Sequence, residues 1–452
     1  MKKKTLTQPS PAKAGEGYRR ELPMRILAIL PVLLLATPAA AQTQPSPTRL
    51  KASVEKLVSF GTRHTLSSPD HPTRGVGAAR RWFATELSRI GEGCGGCIET
   101  ANLARTFTND RAPNGVEVVD VLGFQPGRNA KRVVIVMGHI DSRVSDPMNA
   151  TSDAPGANDD ASGVALVLEA ARILSKEKFD ATIVYAALSG EEQGLFGGQL
   201  LAETAKERGW TVSAVLNNDI VGNTIGQDGS RVADRVRLFS EGIRQVESLD
   251  EQIARRADGG EDDGPSRALA KAADGVAGKL PGGLDVVLVR RPDRFGRGGD
   301  HTPFLKLGYP AVRFTVGVEN YDAQHQDLRT ENGRIYGDTI DRMDFAYLAK
   351  VTAINVATIR RLASAPAAPA SVTIGGALAS DTSVKWEPVP GASRYRVHWR
   401  RADAQEWQHH VDVAGAETVL KGVIVDDHFV GVSALAADGS ESLVTFGGRA
   451  RR

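Results

Sequence analysis

The sequence predicts an α/β fold with a mixed, mostly parallel central sheet and helices on both faces, followed by a C-terminal β-sandwich. Three observations lead to it. Short apolar runs bounded by turns alternate with helix-patterned segments. Polar clusters able to do chemistry fall directly after those runs. Beyond an Ala/Pro stretch at 364–371, the pattern changes to period-two alternation.

The apolar runs are 132–137 (RVVIVM), 182–188 (TIVYAAL), 213–217 (SAVLN) and 310–316 (PAVRFTV). Near-continuous apolar character marks strands buried on both faces, as in a parallel sheet. Helical periodicity appears at 75–90 and 162–175. The polar stretch 245–265 reads as a surface loop, or a helix with a loop. Residues 364–371 (SAPAAPAS) form a linker between a main domain at 46–363 and a smaller one at 372–448. In the smaller domain Tyr395, Val397 and Trp399 share one strand face, and Arg396, His398 and Arg400 the other. The order Trp386, Tyr395, the strand through Val432, then GSES resembles a fibronectin type III domain. Such a module is expected to be non-catalytic, binding a surface, a polysaccharide or the main domain. His409, His410 and His428 read as surface or turn residues.

The chain has 452 residues, 41% hydrophobic and 24% charged, enough for a large core in two or three modules. Its formal charge of +2 comes from positions 1–41; without them 49 basic and 52 acidic residues remain, a net of −3. That balance gives no sign of a nucleic-acid binder. Residues 25–41 (RILAILPVLLLATPAAA) combine one Arg, an apolar run too short to span a membrane and a small-residue end. They read as a secretory signal with cleavage after Ala41, so that no membrane span is expected afterwards. An uncleaved anchor is the competing reading. The polar residues 1–23 are unlike a normal signal start, which makes Met24 an alternative first residue. Export, to periplasm or medium, implies an oxidising compartment. The only cysteines, Cys94 and Cys97 in CGGC, read first as a small disulfide loop; a redox or zinc role has less support.

Five clusters carry the chemistry. Gly138-His139-Ile140-Asp141-Ser142 offers an imidazole, a good zinc ligand, with a carboxylate able to orient it; a surface His-Asp pair would read the same. Pro155–Gly163 (PGANDDASG) places Asp159 and Asp160 before an apolar helix, where a metal or helix capping would account for them. Ser189–Gly194 (SGEEQG) holds Glu191 and Glu192, able to divide ligation from general-base work, or to sit in a first helical turn. Asn218-Asp219 and His325, in 321–327, complete the set, each weak alone.

Together, and in this order after predicted strands, the clusters resemble the secreted bacterial co-catalytic zinc aminopeptidases of the leucyl aminopeptidase and aminopeptidase Y type. The likeness covers roughly residues 50–350, with GANDDASG and SGEEQGLFG its most specific parts. The resemblance implies a zinc-exopeptidase fold and two Zn²⁺ per chain. His139 and Asp219 would hold one ion, Glu192 and His325 the other, and Asp159 would bridge them. Glu191 would be the general base and Asp141 would orient His139. It implies a cis peptide after Asp159, and peptide substrates with a free N-terminus. Gly298–Phe304 (GGDHTPF) resembles a further family motif, giving Asp300 and His301 a supporting role; helix capping and core packing are the alternatives. Tyr321 is a weaker candidate for an oxyanion donor, at a position that departs from the family's.

Glutaminyl cyclases share the implied fold but resemble a one-zinc version needing only the equivalents of Asp159, Glu192 and His325; the presence of His139 and Asp219 favours hydrolysis. A related carboxypeptidase or dipeptidase, and a binding protein with an inactive metal site, are the other readings. Cobalt or manganese would suit the same ligands in vitro.

Overall fold

The structure is a computed structural model and describes residues 44–450; the predicted signal at 25–41 and the alternative start at Met24 lie outside them. The main sheet consists of β1 (Glu99–Asn109), β2 (Ala112–Gln125), β3 (Asn129–His139), β4 (Ala181–Leu188), β5 (Thr211–Asn218), β6 (Arg235–Phe239), β7 (Asp285–Val289) and β8 (Ala311–Val316). Their spatial order is β1-β2-β4-β3-β5-β8-β6-β7. The four central strands run parallel, whereas β2 pairs antiparallel with β4, and β6 antiparallel with β8. All eight residues of β4 are buried, as a strand covered on both faces requires.

The helices are α1 (Pro47–Val58), α2 (Gly75–Gly93), α3 (Ala161–Leu174), α4 (Phe196–Glu207), α5 (Leu249–Ala257), α6 (Pro265–Ala277), α7 (Thr302–Lys306) and α8 (Phe345–Ser364). Apart from Arg172, every residue of α3 is buried, which suits a helix between the sheet and the outer helices α1 and α8. One apolar core joins α1, α2, α3, α6 and α8 to one face of the sheet, and a smaller core packs α4 and α7 on the other. No helix among the described residues is long and apolar enough to cross a membrane.

The predicted strands coincide with β3, β4, β5 and β8. The long β1–β2 hairpin gives no such signal, because β1 (ETANLARTFTN) carries mostly polar side chains on a half-exposed edge. The polar stretch at 245–265 is α5, started by a Ser248–Glu251 capping box, and a following 3-10 turn. Cys94 and Cys97 form a disulfide.

After a short hairpin of β9 (Arg329–Glu331) and β10 (Arg334–Tyr336), the chain passes through α8 to two four-stranded sheets. One contains β11 (Val372–Gly375), β12 (Thr382–Trp386), β15 (Glu417–Leu420) and β18 (Gly448–Arg449). The other contains β13 (Arg394–Arg401), β14 (His409–Val413), β16 (His428–Leu435) and β17 (Thr445–Phe446). Val384, Trp386, Val397, Leu420, Val430 and Val432 fill a common core between them.

The alternate face of β13 is not left to solvent. Arg400 is 2% exposed and pairs with Asp263, while Arg449 reaches Asp258 at 2.6 Å. Phe429 and Phe446 lie over the backbone at Gly259 and Gly260; a Cβ there would stand 2.5 Å and 2.8 Å from their rings, so only glycine permits this approach. Glu441 closes the seam: His398 Nε2 is 2.9 Å from its Oε1, Ser433 donates to the same oxygen at 2.7 Å, and Arg361 of α8 lies 3.5 Å from Oε2.

Burial favours the neutral form of Glu441, but the hydrogen bond from His398 and the charge of Arg361 hold its pKa down at about 2. A depressed folded-state pKa gives stability that is present above the unfolded value and is lost as pH falls toward about 2. Glu441→Gln should therefore remove on the order of 2–3 kcal/mol at neutral pH and flatten the loss between about pH 4.5 and 2. Urea unfolding across that range checks it; equal acid sensitivity in both proteins would refute the assignment.

Candidate metal centre

Each cluster follows a carboxyl end of the parallel strands, where such sheets gather ligands. His139 ends β3, Glu191 and Glu192 follow β4, Asp219 follows β5, and His325 lies in the loop after β8. Asp159 lies just before α3. Its neighbour Asp160 caps that helix, accepting from Gly163 N at 2.8 Å, and also accepts from His139 N at 3.0 Å. The adjacent aspartates thus divide the two functions, capping at Asp160 and a carboxylate in the cluster at Asp159. The peptide bond between them is cis.

The carboxylate of Asp159 spans the site. Its Oδ1 lies 3.0 Å from His139 Nε2 and its Oδ2 3.1 Å from His325 Nε2. Asp219 Oδ1 is 3.9 Å from His139 Nε2, and Glu192 Oε1 is 3.1 Å from His325 Nε2. Donor atoms of His139, Glu191 and Asp219 converge within 4.8 Å of one another, as do those of Asp159, Glu192 and His325. The residues fit a metal by their chemistry. The nitrogen–oxygen donor set suits zinc. Among the described residues, His139 Nε2 and Glu192 Oε1 are buried and make no hydrogen bond despite these short approaches, which leaves both polar atoms for a metal to satisfy.

Asp141 meets His139 chiefly through its main chain. His139 Nδ1 meets the Asp141 main-chain carbonyl at 3.1 Å, while the carboxylate lies 3.5 Å away. That carboxylate accepts instead from Thr65 Oγ1 at 2.8 Å and from the amides of Glu192 and Glu191 at 3.1 and 3.4 Å. It therefore shapes the Glu-Glu turn, which precedes α4 and is not its first helical turn. Glu191 is half-buried, and desolvation pushes its pKa well above the ordinary range; the nearby His139 opposes this, and Glu192 and Asp219 add to it.

Asp300 does not cap α7. It is fully buried, accepts from Gly198 N in α4 at 3.1 Å, and is raised to about pKa 7 by burial, with Asp141 and Asp219 adding to the shift against His139. His301 is packed in the interior, with Nε2 2.7 Å from the Pro292 carbonyl. Tyr321 is 53% exposed, and among the described residues no hydrogen bond ties its hydroxyl to the cluster.

Several residues that the motifs do not reveal complete the site. Arg313, fully buried in β8, reaches Asp219 Oδ1 at 2.9 Å and Asp293 Oδ1 at 2.8 Å. Arg143 contacts Glu192 and His325, Gln324 donates to Asp159 Oδ2 at 3.2 Å, and Asp338 accepts from the amides of Asn158 and Asp159. Arg313 had a readable signal, a charge inside the apolar run PAVRFTV.

A cluster of two imidazoles and four carboxylates at the carboxyl edge of such a sheet defines a metal-dependent hydrolase-type site. Residues 120–258 match the model of peptidase family M28. A probable zinc metalloprotease of the fungus Leptosphaeria maculans is 43% identical over 404 residues, covering 88% of this chain and 93% of that one. The chain belongs to peptidase family M28 and is a zinc-dependent peptidase. That relative is fungal, where the motif resemblance had pointed to bacterial enzymes. In structure the chain is similar to LapB of Legionella pneumophila (TM-score 0.50, 18% identity, 70% of this chain and 72% of that one). It is equally similar to the glutaminyl cyclase of Porphyromonas gingivalis (TM-score 0.50, 17% identity, 70% and 98%). Both likenesses concern the fold alone, a mixed α/β sheet with helices on its two faces.

Arg313→Met should leave Asp219 and Asp293 buried without their shared cation, costing about 3–5 kcal/mol in metal-stripped protein. Chemical denaturation measures this, and an unchanged midpoint would show that the guanidinium is not holding the pair.

Proposed function

We propose that the protein is an exopeptidase that removes residues from the free N-termini of peptides. The observation carrying this reading is the Asp159 carboxylate reaching both histidines, each of which has a further carboxylate nearby. His139 and Asp219 would hold one zinc ion, Glu192 and His325 a second, with Asp159 shared. Zinc bound there would polarise the scissile carbonyl and acidify water.

The chain's own residues supply the remaining functions. Glu191, beside the cluster, would take a proton from the attacking water and deliver it to the departing amine. Asp141 fixes the Glu191–Glu192 turn through its amides and, through its carbonyl, the tautomer of His139. A substrate's free α-amine can sit near the metals and the acidic groups, a place that a blocked end would not fill. Tyr321, 53% exposed, is assigned no role in this reading. Asp300 acts as a support behind the ligands. We also propose export directed by residues 25–41, and a fibronectin type III-like accessory role for the C-terminal sandwich, supported by its two facing sheets.

Metal analysis paired with activity assays tests the reading. The protein should contain two zinc ions, cleave leucyl-, alanyl- or glutaminyl-amides only when the amine is free, and lose activity to a chelator. Cleavage of acetylated substrates at equal rates, or cyclisation of N-terminal Gln as the only turnover, would overturn it. Glu191→Gln should keep its metal and lose about a hundredfold to ten-thousandfold in kcat; a loss of metal instead would make Glu191 a ligand.

A further inference from the structure

We infer that Arg143 weakens metal binding at the Glu192–His325 half of the site, so that the two halves hold metal unequally. The inference rests on the two-metal reading above. Arg143 directly follows the segment GHIDS. Its Nε donates to Glu192 Oε2 at 2.8 Å and its Nη2 to His325 Nδ1 at 2.7 Å. Its Nη1 is tied to the carbonyls of Val144 and Ser145 at 3.2 and 3.1 Å, and the side chain is only 13% exposed. The guanidinium is thus fixed against both residues of this half.

An arginine can only donate, so His325 Nδ1 must accept. Its other ring nitrogen, Nε2, lies 3.1 Å from both Asp159 Oδ2 and Glu192 Oε1. A neutral imidazole ligating through Nε2 carries its hydrogen on Nδ1, where it would oppose the Arg143 donor. Metal binding and the Arg143–His325 bond therefore compete. A ligating imidazole ordinarily has an acceptor behind it, and His139 does, in the Asp141 carbonyl. Charge acts in the same direction, since Arg143 already neutralises Glu192 and repels a second cation beside it. In the other half Arg313 divides its charge between Asp219 and Asp293 and makes no hydrogen bond to His139.

The test is a competitive zinc titration of metal-stripped full-length protein against a chromophoric chelator, with thermal melting to verify folding. Wild type should bind one equivalent tightly and one weakly. Arg143→Gln should tighten the weak equivalent by about 10–100-fold. Equal affinity for that equivalent in the two proteins would overturn the role of Arg143 and leave the two-metal reading intact. If neither protein binds a second equivalent, the two-metal reading itself falls, and this inference with it. A second measurement does not depend on the arginine variant folding. His325→Ala should abolish the weak equivalent and spare the tight one, and loss of the tight equivalent instead would overturn the assignment.

Discussion

The organisation of this protein depends on the carboxylate of Asp159, which lies within about 3 Å of both His139 and His325. That position brings Asp159, Glu192 and Asp219, each nearly fully buried, into one pocket with Glu191. Such a gathering of negative charge would be costly to bury unless cations compensate it. Much of the surrounding structure serves to fix or offset it. Asp338 takes the amides of Asn158 and Asp159, Gln324 donates to Asp159, and Arg143 and Arg313 each neutralise one further carboxylate.

The frame of this site was legible in the sequence, because two signals coincided there. Continuous apolar runs located β3, β4, β5 and β8, and the conspicuous polar pairs at their ends located His139, Glu191, Glu192 and Asp219. What was not legible depends on contacts between distant segments. Asp293 meets Arg313 of β8 only because the segment after β7 comes back across the sheet edge, and Asp338 meets Asn158 across 180 positions. No local pattern encodes those meetings. Asp141 illustrates a finer limit: HxD spacing correctly placed a histidine and an acid together, but not that the main-chain carbonyl would face the imidazole while the carboxylate turned to the Glu-Glu amides.

The C-terminal sandwich shows a related limit. Alternation in β13 separates two faces correctly, with Tyr395 and Val397 in the sandwich core. Alternation cannot say what covers the polar face. In the structure that cover is α5, its following turn and α8, through Asp263, the Gly259–Gly260 backbone and Arg361. The polar sequence at 245–265 and the polar face of β13 are therefore two sides of one seam. Each looks like a solvated surface when read alone.

The parts added to the parallel core share a purpose that follows from this geometry. A parallel sheet supplies ligands at its strand ends but leaves the loops carrying them unsupported. At one edge the tip of the β1–β2 hairpin reaches over the Glu-Glu turn, with Asn109 donating to the Gln193 carbonyl at 2.6 Å and Arg111 to the Glu192 carbonyl at 2.8 Å. At the other, the segment after β7 supplies Asp293, which fixes the guanidinium against Asp219. The antiparallel edges thus brace the two carboxylates, Glu192 and Asp219, that lie on opposite sides of Asp159. Pre-organisation of this kind lowers the cost of ordering the ligand loops at the moment of binding, because they are already held by backbone carbonyls and buried ion pairs.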